Sequence, residues 1–127
     1  MTPKERNMAQ DWPGLVQEMN PQVAALRGLQ PDVMKAFAQM AQAATATNAL
    51  DTRTKELVAL GISVAVRCDP CIAYHAKAAV KAGATEAEVA ETLGLAVYMG
   101  AGPSAMYAAK ALEAARQFGV GEPGQPV

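Results

Sequence analysis

The chain has 127 residues, 51% of them hydrophobic and 18% charged, with a formal net charge of −1. That length fits one domain whose core can stand without disulfide or metal staples. The near-neutral balance argues against a nucleic-acid or anionic-membrane partner. The longest apolar stretch, Leu57 to Val66, is shorter than the roughly 20 residues a bilayer span requires.

Alanine is abundant and aromatics make up only 5% of the chain, a composition that favours closely packed helices. Met1 to Gln10 is polar and lacks the apolar centre of a signal peptide, so the expected location is the cytoplasm. In a reducing compartment two cysteines suit catalysis, redox exchange or metal binding better than a structural staple.

Taken in order, Trp12 to Met19 is expected as a short first helix and Pro21 to Gly28 as a second. Pro31 to about Thr45 is a clearer helix, because Val33, Phe37, Met40 and Ala44 fall on one face. Asp51 or Thr52 caps the next, which runs to about Val66 and is apolar nearly all round from Leu57. A helix without a polar face is normally buried, here at the centre or at a subunit interface. Asp69-Pro70 is a strong helix start, with Asp69 as N-cap, and Gly83 supplies the stop. Thr85 and Glu88 fit a capping box. The helix that follows runs to Met99, Gly100 ends it, and Gly102-Pro103 restarts the chain into a last helix ending near Phe118. Met99 and Met106 are expected to line apolar contacts. No stretch alternates with period two, so no sheet is predicted. The expected organisation is N-terminal helices over 1–49, packing on the core or a neighbouring subunit, a core over 50–118, and a flexible tail over 119–127.

The chemistry concentrates in Arg67-Cys68-Asp69-Pro70-Cys71-Ile72-Ala73-Tyr74-His75. With Asp69 as N-cap, Cys71 occupies the second helical position, where free backbone N–H groups and the helix dipole favour a thiolate. Cys68 is close enough to Cys71 to close a small disulfide loop. His75, the only histidine in the chain, lies one turn beyond Cys71 on the same face and could exchange its proton. Two other readings compete. Cys68 and Cys71 could be buried small hydrophobes, or, with His75, three ligands of a zinc ion that needs a fourth. Tyr74 lies about 100° around the helix from His75 and is expected to pack.

These residues resemble the AhpD-like, carboxymuconolactone decarboxylase superfamily. The resemblance is carried by Lys55-Glu56-Leu57-Val58-Ala59-Leu60-Gly61-Ile62, by Cys68-x-x-Cys71-x-x-x-His75, by the Gly83-Ala84-Thr85 turn, and by Tyr98-Met99-Gly100-Ala101-Gly102-Pro103. It spans roughly Leu50 to Ala115. It implies an all-α, AhpD-like bundle of six to seven helices that assembles as trimers or hexamers. It also implies a thiol-dependent hydroperoxidase or disulfide oxidoreductase, in which Cys71 attacks peroxide and Cys68 resolves the sulfenic acid to a disulfide. His75 and Glu56 would form the proton relay. No cofactor is implied beyond the Cys68–Cys71 disulfide, with reduction by an external dithiol of lipoyl or thioredoxin type. The alternatives are a decarboxylase-type lyase, for which the cysteines are dispensable, and a non-catalytic oligomeric binding module.

Two features set the chain apart. Pro70 stands where the best-known family peroxidase has a second histidine, which favours disulfide exchange over peroxide reduction. The relay also poses a geometric problem. Glu56 lies about 16 Å down its helix from Arg67, and His75 about 7–8 Å down the next from Pro70, so in a simple antiparallel hairpin they would miss by about 8 Å. Contact then requires a steep crossing, a bridging water, or a glutamate from a neighbouring subunit.

Overall fold

The computed structural model describes residues 10–126. Five helices follow in order: α1 (Trp12–Leu29), α2 (Pro31–Thr45), α3 (Thr52–Ala65), α4 (Asp69–Lys81) and α5 (Glu86–Gln117). No strand occurs among the described residues, as expected.

The helix count is lower than the expected six to seven because the first two segments fuse and the last two run on as one helix across a kink. Pro21 lies inside α1 rather than at a helix boundary. Proline removes one N–H from the ladder, and here the helix runs through it along a solvent-facing stretch in which residues 20–22 are all exposed. The break expected at Gly100 does occur, but as a single non-helical residue, Ala101 (φ 54°, ψ −135°), inside α5. Ser104 folds back over Gly100 there: a Cβ on Gly100 would stand 1.8 Å from its Oγ. Only glycine accommodates that approach.

The core gathers one end of α1 with α3, α4 and α5. Trp12, Leu60, Val64, Ile72 and Val89 are its largest fully buried side chains. Ala73, Ala76 and Ala79 of α4 meet Ala108, Ala111, Ala114 and Ala115 of α5 in the same cluster, so the scarcity of aromatics is matched by small side chains at close helix contacts. Gln117 fastens the start of α1: its Oε1 accepts from Trp12 N at 2.8 Å and its Nε2 donates to Gln10 O at 2.8 Å. Val120 is buried, so the segment expected as a flexible tail packs at its first turn.

Helix ends follow the local sequence closely. Asp51 caps α3, accepting from Thr54 N at 2.8 Å. The capping box at α5 is complete: Glu88 N donates to Thr85 Oγ1 at 3.0 Å and Thr85 N to Glu88 Oε1 at 2.9 Å. That backbone bond, opposed by partial desolvation, holds the Glu88 carboxyl below its ordinary value. A carboxyl lowered on folding stabilises above its unfolded value and loses that contribution as pH falls through the folded one. Replacing Thr85 by alanine is expected to cost about 1 kcal/mol by removing the hydroxyl that accepts from Glu88 N. The pH-dependent part, carried by the backbone N–H at position 85, stays. Urea unfolding at neutral and acid pH checks both.

The turn from α3 into α4 is the important one. Arg67 takes a left-handed conformation (φ 57°), Arg67 N donates to Val64 O, and Cys68 N donates to Ser63 O. This pair of bonds is a Schellman closure, which usually uses glycine at the left-handed position. The same closure recurs at Gly83, where Ala84 N donates to Ala79 O.

Two expectations about burial are met only in part within one chain. The apolar run of α3 is buried only along Leu57, Leu60 and Val64, while Val58, Ile62 and Val66 are exposed. Met99 and Met106 are exposed as well, as are Val33, Phe37 and Met40 on α2. Periodicity identifies an apolar face, but a single chain of this size does not cover every such face.

Candidate active site

Cys68 and Cys71 are joined by a disulfide, with Cα atoms 5.2 Å apart. Both residues are half-buried. The N-cap of α4 is Cys68, one residue earlier than expected, and its sulfur accepts from Cys71 N at 3.2 Å. Asp69 and Pro70 fill the first two helical positions and Cys71 the third. The amide expected to favour a thiolate on Cys71 therefore serves the Cys68 sulfur.

His75 stands one turn beyond Cys71 on α4, and its Nδ1 is 2.7 Å from Glu56 Oε2 on α3. The two side chains meet directly within one chain, without a bridging water or a second subunit. The expected miss of about 8 Å assumed straight, parallel axes at the standard rise. That sum fails once the helices cross and two long side chains lean together. The Glu56 side chain is 9% exposed and that of His75 is 36% exposed. A buried carboxylate accepting from Nδ1–H fixes the imidazole tautomer and leaves Nε2 as the nitrogen available for proton exchange.

Behind Glu56 lies an open cleft of about 690 Å³, lined by Thr47, Thr52, Arg53, Glu56 and Lys81. Arg53 is committed to Glu88 at 3.5 Å, so Lys81 is the exposed cation of that rim. Arg67 and Lys77, the cations nearest the cysteines in sequence, are both exposed.

Two partnerships were not legible beforehand. Tyr74 packs against the core, as expected, and also donates its hydroxyl to Asn20 Oδ1, tying α4 to α1. Lys110 of α5 reaches Asp69, between the cysteines, at 2.9 and 3.1 Å. The sequence separations of 54 and 41 residues leave no local signal for either. Among the described residues, no cluster of three or more His, Cys, Asp or Glu side chains is arranged to hold a metal ion.

The sequence profile of the carboxymuconolactone decarboxylase family matches residues 31–114. The chain belongs to this family. The carboxymuconolactone decarboxylase family protein lpg0406 of Legionella pneumophila, in its apo crystal structure, superposes with a TM-score of 0.82 at 48% identity, covering 84% of this chain and 96% of that one. An uncharacterized protein of Cupriavidus necator, H16_B0147, is 42% identical over 95 residues, 75% of this chain and 84% of its own length. Uncharacterized protein 4 in the cox locus of Paracoccus denitrificans is 38% identical over 77 residues, 61% of this chain and 69% of its own. The carboxymuconolactone decarboxylase profile begins at α2 and ends within α5, so it includes the cysteine pair, His75 and Glu56 together.

Proposed function

We propose that the protein is a thiol-dependent disulfide oxidoreductase that also reduces hydroperoxides, working through Cys71, Cys68, His75 and Glu56. The observation that carries this reading is the buried Glu56 bonded to His75 on the same helix as the cysteine pair. A histidine oriented by a carboxylate, one turn from a helix-start thiol, is the arrangement that activates a nucleophile.

In the oxidative half, His75 Nε2 takes the Cys71 proton and the thiolate attacks the distal peroxide oxygen. The O–O bond breaks, the alcohol leaves with the proton from His75, and Cys71 becomes a sulfenic acid. Cys68 then attacks that sulfur and water leaves, forming the disulfide. In the reductive half, an external dithiol attacks Cys71 and Cys68 leaves as a thiolate, which the Cys71 N–H is placed to stabilise. The donor's second thiol releases Cys71, so two electrons and two protons pass from donor to protein. Pro70 supplies no second imidazole, which weights the activity toward disulfide exchange.

The test is stoichiometric. The reduced protein should lose two thiols on treatment with a hydroperoxide and regain them from dihydrolipoamide or reduced thioredoxin. Thiols inert to both reagents would overturn the reading, and a lyase activity that survives loss of both cysteines would replace it.

The reading includes self-association as a trimer or hexamer. An apolar groove of about 490 Å³ between α3 and α5, lined by Val58, Ile62, Leu95 and Met99 among others, supports it. Lysine in place of Ile62, which is 56% exposed, is expected to leave the monomer folded and dissociate the assembly, seen as a fall in sedimentation coefficient. No described helix is long and apolar enough to cross a membrane.

A further inference from the structure

Asp69 lies inside the disulfide loop, and its carboxylate is held by Lys110 through both oxygens. Lys110 is itself fixed from two sides. Its ammonium stands 4.8 Å from the Tyr107 ring centroid and 5.9 Å from that of Trp12, and Trp12 is among the most buried residues in the molecule. Two aromatic faces and a two-oxygen carboxylate hold one cation against the cysteine loop, which is more order than an exposed lysine ordinarily has.

We propose that Lys110 is a positioning residue for the redox pair. It holds the Asp69 carboxylate and neutralises it between the cysteines, and so sets the dithiol–disulfide equilibrium. The inference rests on the thiol-exchange reading above and adds the residue that regulates its potential.

The charges around the loop make the sign definite. On α4 these are Asp69 and His75; on α3 and its turn, Glu56 and Arg67; on α5, Lys110. From α1, the neutral Trp12 lies against Lys110 and Asn20 reaches α4 through Tyr74. An unshielded carboxylate beside Cys68 disfavours the thiolates, and hence the reduced form, whereas an unshielded ammonium favours them. Removing either partner should therefore move the equilibrium in opposite directions. The Lys110 and Asp69 side chains are 39% and 32% exposed, so screening keeps each effect moderate.

The experiment equilibrates the full protein with mixtures of reduced and oxidised glutathione at a pH where the thiols are partly ionised, and counts protein thiols. Forming the protein disulfide releases two electrons and two protons, which convert one oxidised glutathione to two reduced ones. Lys110→Met keeps the apolar stem over the two rings and is expected to favour the disulfide by about three- to tenfold, the upper figure corresponding to about 30 mV. Asp69→Asn should favour the dithiol by a similar factor, the double variant should return to within about twofold of the starting equilibrium, and Lys110→Arg should match the unaltered protein. Shifts of the same sign in both single variants, or no shift in either, would overturn the proposal while leaving thiol exchange intact. If Lys110→Met fails to fold, Asp69→Asn decides, because an unchanged or more oxidised pair contradicts the stated sign. An unaltered protein that does not exchange with glutathione overturns the thiol-exchange reading and this inference with it.

Discussion

Serine in place of Cys71 is expected to lower the rate of disulfide exchange and of hydroperoxide reduction by at least about a thousandfold, since it removes the attacking sulfur itself. The same change at Cys68 should have a different signature. With Cys71 intact, one oxidation still occurs, but the sulfenic acid has no partner, so a single event replaces turnover and the adduct can be trapped by a sulfenic-acid reagent. Stopped-flow oxidation of the two variants, followed by mass analysis, separates the roles. Equal loss of the first oxidation step in both would show that the assignment of attacking and resolving sulfur is wrong.

Glutamine in place of His75 or of Glu56 is expected to reduce the same rates by about 10²- to 10⁴-fold, the range for loss of a positioned general base. The two substitutions act differently. His75→Gln removes the group that exchanges the proton, so the rate should track the ionisation of the thiol alone. Glu56→Gln keeps the imidazole but offers Nδ1 an amide that can donate, which favours the tautomer with its proton on Nε2. Because both act through one unit, the double variant should be little worse than the poorer single one. Stability gives a second readout. His75→Ala leaves the buried Glu56 carboxylate without its partner, a cost of about 1–2 kcal/mol after allowance for the exposure of His75. Adding Glu56→Gln to that variant should recover most of the loss, measured by urea unfolding.

Much of this site could be read from residue order because it is built from local contacts. The Asp-Pro start, the Gly83 stop and the Thr85–Glu88 box are each encoded within a few residues, and they place α4 and the start of α5 to within one position. The single-residue error there had a physical source. Asp69 is the usual capping type, but Cys68 is the residue in extended conformation after the left-handed Arg67, so its sulfur takes the role. The Glu56–His75 pairing follows from the family resemblance and runs against the helix-spacing estimate, because the contact depends on how two helices cross, which lies outside local sequence reasoning. The Lys110–Asp69 pair lay beyond it for the same reason. The exposed faces of α2 and α3 mark the opposite limit. Their spacing shows that they are apolar but does not say whether the same chain covers them.

Cys68 joins two helices through two of its own atoms: its amide closes α3 on Ser63, and its sulfur opens α4 on Cys71 N. A bulky adduct on that sulfur would crowd the first turn of one helix at the point where the other ends. The Cys71 sulfur, at the third helical position, makes neither of those end-closing bonds. The two sulfurs of a symmetric disulfide are thus mechanically unequal. A mixed disulfide with a large substrate is therefore expected on the second cysteine, with the first kept as the joint about which α3 and α4 are held.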